Sequence, residues 1–500
     1  MKVPFQKKKS EPISERRGNN MADKKVVEAL VDQWIADHKE EMIEELKLWV
    51  SHPSVSRADL AKPGAPYGED CRKMLDFALE RGRHYGFRTE DHEGYCGDIY
   101  FGDGKDEIGI VGHLDVVPEG NHWIYEPYAP VVKDGFVIGR GAGDDKGPSI
   151  IGLFLMRFFK ENNIPMKNTL RLMLGCSEET GMQDYEHYVG VMKGRVPAVS
   201  IVADAGFPVC YAQKGGYDAA FDIPAGKNIV DFAGGSVRNA IPDTAVLTVS
   251  GITLEKAKEA LSGVERIDLE ADGENVKIIG RGKAGHAAAP AKDAQNSAIA
   301  IAAAAAAVLE ERTGLDLGGC KFIAHAFEDA FGTNLGIKFA DEMSGELTIN
   351  AGVMHKVGNT LHLDIDIRFP VTMKGEDITA ALEAHLAAAG AKLAEVHIAN
   401  PYYIDPKDPK VTALLKAYRA VTGDMTEPYA MGGGTYSRVI PNAISFGPGF
   451  MRKGHKPDFL PEGHGNAHGP DEALSIEDWL TAFKIYILSV AELDEVMAQG

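Results

Sequence analysis

Strand-like runs in this chain end repeatedly in residues that bind metals or move protons. The apolar run Ile108 to Gly112 leads into His113-Leu114-Asp115, the run Thr169 to Gly175 leads into Cys176-Ser177-Glu178-Glu179, and the run Val199 to Ala203 ends at Asp204. The glycine-rich segment from Gly139 to Gly147 carries adjacent carboxylates, Asp144 and Asp145. Near the other end, His455, His464 and His468 share one glycine-rich stretch. Open α/β sheets gather their ligands beyond the carboxyl ends of the strands, so side chains in these places can converge although they are far apart in sequence.

Imidazole and carboxylate donors suit a divalent ion of hard to borderline character, such as zinc. A histidine that binds metal through one ring nitrogen needs an acceptor on the other, and Asp115, two residues along an extended segment, falls on the same side as His113. Glu178 and Glu179 diverge at a strand end. One can bind metal while the other takes a proton from an activated water. Each motif is common by itself, since an HxD pair, a Glu-Glu pair or a DDKG turn ordinarily has a structural role. Their recurrence in order, each at a strand end, is what selects a metal site.

The elements that would hold these residues follow from apolar periodicity. Helices are expected over 26–50, 70–85, 147–162 and 182–192, with strands over 98–102, 108–112, 169–175 and 199–203. This alternation predicts a largely parallel α/β sheet flanked by helices. The middle of the chain differs: around Asn239 and again around Asn359 a strand, a short turn and a helix follow one another, with an Ala-rich helix over 296–311 between the two. This weak internal repeat predicts an inserted α+β domain over 216–372, so that 21–215 and 373–500 form one discontinuous catalytic domain. The α/β pattern resumes with a helix over 412–421, a strand over 443–446 and a closing helix over 475–493. Residues 1–20 are basic and polar and precede a second methionine, Met21; they are read as a disordered tail, with Met21 as the suspected native start.

Composition bounds the possible functions. At 500 residues, 44% hydrophobic and 25% charged, the chain is globular and long enough for two or three domains. A net charge of −20 argues against a binder of nucleic acid or of anionic membranes. Five cysteines without a CxxC spacing indicate neither a disulfide framework nor a thiolate zinc site, and point to the cytoplasm. Without an apolar run of about 18 residues the chain is not expected to span a membrane. The segment GRGAGDDKG lacks the spacing of a P-loop, which excludes that kind of nucleotide hydrolase.

The pieces VGHLDVVP, GRGAGDDKGP, CSEETG, ADAGFP, GKAGHAAAP, DIRFP, GGGTYSR and AHGPDE, in this order over nearly all the chain from His113 to Glu472, resemble those of the co-catalytic zinc metallopeptidases. That family includes aminoacylases, carboxypeptidases, desuccinylases and peptidase V-like dipeptidases; the enlarged insertion and the last four pieces are most similar to the peptidase V-like branch. The resemblance implies a catalytic domain with a mixed, mainly parallel sheet flanked by helices, and an inserted α+β lid. It implies two Zn2+ per chain, for which Mn2+ or Co2+ can substitute. His113 would bind one metal and Asp144, rather than Asp145, would bridge both; Glu179 and Asp204 would bind one each, and His468, rather than His464, would complete the second shell. Asp115 would orient His113, and Glu178 would be the general base. From the lid, His286 would stabilise the oxyanion while Asn239 and Arg368 bind substrate. Gly433, Gly434 and Thr435 would cradle the substrate's carboxylate with their backbone.

The activity so implied is metal-dependent hydrolysis of dipeptides with a free N-terminus. An N-acyl amino-acid amidohydrolase or carboxypeptidase would use the same core. A non-catalytic metal-dependent binding protein would require loss of Glu178 or a ligand, and none is missing. The expected partners are small peptides, with no nucleic acid or membrane, and the long lid implies a monomer.

Overall fold

The structure is a computed structural model that describes residues 24–287, 296–450 and 454–499. The basic tail at 1–20 lies outside the described residues. No described helix is long and apolar enough to cross a membrane.

The first unit is a mixed sheet in which strands Thr169–Gly175, Glu107–His113, Val199–Val202 and Ala443–Ser445 lie side by side and parallel. Antiparallel strands Cys96–Phe101 and Arg88–His92 extend one edge. Every residue of Glu107–His113 and of Thr169–Gly175 is buried, which fits near-continuous apolar runs covered on both faces. Helices Lys24–Val50, Lys146–Glu161 and Ile476–Gln499 pack together over the sheet. Residues 146–159 are all buried, so Lys146–Glu161 is an interior helix rather than an amphipathic surface one. Ordinary parallel-sheet packing thus brings the carboxyl ends of the central strands, which carry His113, Cys176–Glu179 and Asp204, to one edge.

The second unit is an eight-stranded antiparallel sheet with its own apolar core. Its two central strands, Ile229–Gly234 and Thr348–Val357, join two four-stranded halves. The repeat seen in the sequence occupies equivalent places: Thr244–Val249 and Thr360–Phe369 are each third from an outer edge, and each is followed by a helix, Leu254–Ala260 and Gly375–Ala388. The second sheet runs further than the expected 216–372. Strand Gly215–Pro224 pairs with Lys392–Ala399, which brings the intervening helix Gly375–Ala388 into the same core. The physical reason is where their apolar residues go: Ile378, Leu382 and Leu386 of the helix are buried in the second core, and Leu393 and Ile398 of the strand pack against it.

The Ala-rich helix, Ala298–Thr313, lies almost backbone to backbone on this sheet. A β-carbon on Gly280 would stand 2.3 Å from the carbonyl oxygen of Ala298, so small residues on both sides set the separation. Gly280→Ala is therefore expected to cost about 1–3 kcal/mol of stability, read as a lower midpoint in urea unfolding of the purified protein.

Candidate metal centre

His113 ends its strand with a fully buried side chain. Its Nδ1 lies 2.9 Å from the main-chain oxygen of Asp115, an acceptor, which makes Nε2, turned toward Asp144, the ring atom suited to a cation. The Asp115 carboxylate mainly serves another purpose. Its two oxygens accept the backbone N–H groups of Glu178 and Glu179, each at 3.1 Å, and only Oδ1 approaches the imidazole, at 3.5 Å. Asp115 thus orients His113 through its main chain and holds the glutamate loop through its side chain, where the sequence reading expected the orienting role alone.

Asp144 stands at the centre. Its Oδ1 is 3.0 Å from His113 Nε2 and its Oδ2 is 3.1 Å from His468 Nε2. The same nitrogen of His468 is 3.0 Å from Glu179 Oε1. Ligand atoms of His113, Asp144 and Asp204 all lie within 4.8 Å of one another, as do those of Asp144, Glu179 and His468. Two three-residue nests therefore share one carboxylate. Glu179 Oε1 is buried, with the His468 nitrogen beside it but no well-aligned hydrogen bond, which suits an oxygen that shares a cation with that nitrogen. Imidazole nitrogen and carboxylate oxygen in such numbers fit a pair of ions of zinc-like character.

The electrostatics agree with that fit. Burial and the charge of Asp144 push Asp204 up to about 8, and burial with the Asp204 charge pushes Glu178 well above the usual carboxylate range. Bonds to Asp144 and Glu179 raise His468 to about 10. Burial would lower the pKa of His113, but the bonds to Asp115 and Asp144 outweigh it and raise it well above normal. The cluster holds more negative charge than it can carry dry, and protons or metal ions must balance it.

Asp145 faces elsewhere. Its Oδ2 accepts the backbone N–H of His113 at 3.0 Å, so it fixes the strand end rather than joining the nests. His464 is likewise engaged, with Nδ1 2.5 Å from Asp471 Oδ2, while Asp471 Oδ1 accepts the N–H groups of Ile124 and Tyr125. His455 pairs with Asp478.

Three supporting residues escaped the sequence reading. Glu472 Oε1 accepts the N–H groups of Gly143 and Asp144 at 2.9 and 3.0 Å, and its Oε2 is 2.8 Å from the fully buried Arg140. Arg140 also reaches the main-chain oxygen of His468. Asp184 accepts the N–H groups of Cys176 and Ser177 and the hydroxyl of Tyr436, and burial with the Asp115 charge raises its pKa to about 6. Arg140 and Glu472 sit inside GRGAGDDKG and AHGPDE, so their motifs were visible although their partnership was not.

None of the residues assigned to substrate is a member of either nest. Asn239 and His286 are exposed neighbours on a small ribbon of the second unit, where Ala240–Ile241 pairs with Gly285–His286 and the N–H of Ala287 donates to the Asn239 oxygen. Arg368 is held by Asp366 through Nε and Nη2, at 2.9 and 2.5 Å. Thr435 is buried, with its hydroxyl bonded to Gln213 and Ser445 and its N–H to Gln213. Its side chain is therefore committed to the interior, and only the glycines before it are left to line a cradle.

If Glu472 fixes Asp144 through the backbone, Glu472→Gln will loosen metal retention by about 10–100-fold, as second-layer changes do. Competition against a chelator checks this, with circular dichroism confirming that the fold is kept.

Comparison with known proteins places this geometry. The profile of the peptidase family M20/M25/M40 matches residues 109–492. A Bacillus subtilis (strain 168) protein named "Putative dipeptidase YtjP" is 32% identical over 472 residues, covering 91% of this chain and 97% of its own. A "Putative dipeptidase" of Staphylococcus epidermidis is 29% identical, covering 92% and 98%. In fold, the chain is similar to human carnosine dipeptidase 1, with a TM-score of 0.53 at 16% identity, covering 94% of this chain and 100% of that one. It is similar also to the Saccharomyces cerevisiae di-peptidase Dug1p, with a TM-score of 0.53 at 15% identity, covering 95% and 99%. A chain matched over most of its length by this profile, with carboxylates and histidines set for metal at its strand ends, belongs to the M20/M25/M40 peptidase family and is a peptide-bond hydrolase.

Proposed function

We propose that the protein is a metal-dependent dipeptidase that cleaves dipeptides with a free N-terminus. The observation that carries the reading is the Asp144 carboxylate shared by two ligand nests, His113/Asp204 and Glu179/His468, with Glu178 beside them. Relatives of the same length with dipeptidase names support the substrate size. His113, Asp144, Glu179, Asp204 and His468 would hold two divalent ions, zinc by preference and manganese or cobalt as substitutes. When bound, the pair supplies an acidified water as nucleophile and a Lewis acid for the scissile carbonyl.

The side chains of this chain do the rest. Glu178, whose backbone is pinned by Asp115, takes the proton of the nucleophile and returns it to the leaving amine. His286, on the ribbon of the second unit, would meet the oxyanion when the two units close on substrate, and closure would exclude water. The inserted unit acts as this lid. Its two halves already meet within one chain, where Gly234 pairs with Met354, which supports a chain that works as a monomer. Its expected setting is the cytoplasm.

Metal-stripped protein is expected to be inactive on a dipeptide such as Ala-Leu and to regain activity with zinc or manganese. Glu178→Ala will lower kcat by about 10²–10⁴-fold, in line with the loss of a general acid–base group. The N-acetylated dipeptide will not be cut. Preference for the acetylated compound would instead make the protein an amidohydrolase, and metal binding without turnover would make it a binding protein.

A further inference from the structure

The lid groups Asn239 and His286 stand on a ribbon in which Ala240–Ile241 pairs with Gly285–His286, and so short a pair is marginal by itself. The loop that carries Asn239 leaves the first half of the second sheet at Gly234 and is fastened to the other half. Asn350, buried in strand Thr348–Val357, donates its side-chain amide twice, to the main-chain oxygens of Arg238 at 2.8 Å and of Ala240 at 2.9 Å. These two oxygens flank Asn239. Beside Asn350 the strand bulges at Gly352, the extra residue between Ala351 and Val353. A β-carbon on Gly352 would lie 2.3 Å from the Arg238 oxygen, so the loop rests there on bare backbone.

The side chain of Arg238 grips the same half. Its Nε and Nη2 lie 3.1 and 2.8 Å from Asp364 Oδ1, and Nη2 is 2.9 Å from Glu395 Oε2. Glu395 reaches it from a second bulge, where Glu395 and Val396 of strand Lys392–Ala399 face the single Ala219. Its φ of 52° is one that residues with a β-carbon seldom adopt. Ligand atoms of His362, Asp364 and Glu395 gather within 4.8 Å of one another, as those of the metal nests do, but here the cation is built into the chain as Arg238. Two bulged strands and a left-handed residue thus converge on the side chain that precedes Asn239. Local irregularity of this kind is kept where geometry matters to function.

We propose that Arg238 and Asn350 are positioning residues for the reaction, which set the ribbon of Asn239 and His286 in the place from which it meets substrate when the two units close. The inference rests on the lid roles given under the proposed function and deepens them. Asn350 holds the main chain on either side of Asn239, and Arg238 stops the loop from turning about that hold. The ribbon passes the constraint to His286 through the pairing of Ala240 with His286 and the bond from the Ala287 N–H to the Asn239 oxygen. A donor to a developing oxyanion works only from the right place, and a misplacement of about 1 Å costs on the order of 10²-fold in rate. Loosening the anchor therefore lowers turnover while the metal nests, which belong to the other unit, keep their geometry.

Hydrogen exchange and a mutant cycle on the zinc-loaded, full-length protein test the anchor. In Arg238→Gln the amides of 239–241 and 285–287 are expected to exchange about tenfold faster, while those of the His113 and Glu178 loops keep their rates. The same variant is expected to lower kcat/KM for Ala-Leu by about tenfold, with part of the loss restored in Arg238→Lys. Glu395→Gln, at an exposed side chain, gives a smaller loss of the same kind. In a background that already lacks both lid groups, Asn239→Ala with His286→Ala, adding Arg238→Gln is expected to cost little more, because its effect runs through them. A merely structural role would lower activity by the same factor in both backgrounds. Unchanged exchange of the ribbon, or an equal loss in the two backgrounds, overturns the positioning role. Wild-type protein that prefers N-acetylated Ala-Leu would remove the dipeptidase reading alone, and the same cycle on that substrate would still decide the anchor.

Discussion

Mutual repulsion among carboxylates at the carboxyl edge of the first sheet is the constraint around which this structure is organised. Asp144, Glu178, Glu179 and Asp204 gather where burial already disfavours charge, and burial is the leading cause that raises Glu178 and Asp204. Only Asp144 is held low, because His113 and His468 both bond to it. Such an arrangement is stable only with compensating positive charge inside it. The protein therefore resembles a socket whose shape is fixed by the fold and whose charge is completed from outside.

A fold that must hold repelling groups together cannot rely on those groups to do it. Here the holding is done from behind, and by the same means each time: a buried carboxylate takes two backbone N–H groups of a loop that carries a ligand. Asp115 does so for Glu178 and Glu179, Glu472 for Gly143 and Asp144, and Asp184 for Cys176 and Ser177. Bonds of this kind fix direction as well as position, and they are stronger than neutral ones. They also explain why the acidic excess of the chain is not confined to its surface.

This division also decides what could be read from the sequence. Candidate ligands His113, Glu179 and Asp204 could be picked out because each follows an apolar run, and the rule that ligands sit beyond strand ends needs no three-dimensional detail. Asp144 was separable from Asp145, and His468 from His464, only through the family resemblance, since either member of each pair has the right chemistry. In the structure the other members are engaged elsewhere, Asp145 with the His113 backbone and His464 with Asp471. The supporting carboxylates were hidden for a different reason. Glu472 meets Arg140 across most of the chain, and neither periodicity nor spacing encodes a pairing of that range. The end of the lid was misplaced for a related cause: strand Lys392–Ala399 joins the second sheet by pairing with Gly215–Pro224 at its far end, and local pattern does not say which sheet a strand enters.

The two units have separate cores. The candidate metal ligands and Glu178 belong to one unit, while Asn239, His286 and Arg368 belong to the other. Near the joint, Lys214 sends its Nζ to the lid's Glu346 oxygen while its own main-chain oxygen accepts from Arg438. Tyr211 of the first unit likewise reaches the Met343 oxygen of the second. Interfaces built from a few polar contacts permit relative motion. A substrate whose one end sits at the metal nests and whose other end lies at this joint would add a bond between the units that neither makes alone. Binding energy gained far from the scissile bond would then favour the arrangement in which the lid residues reach it.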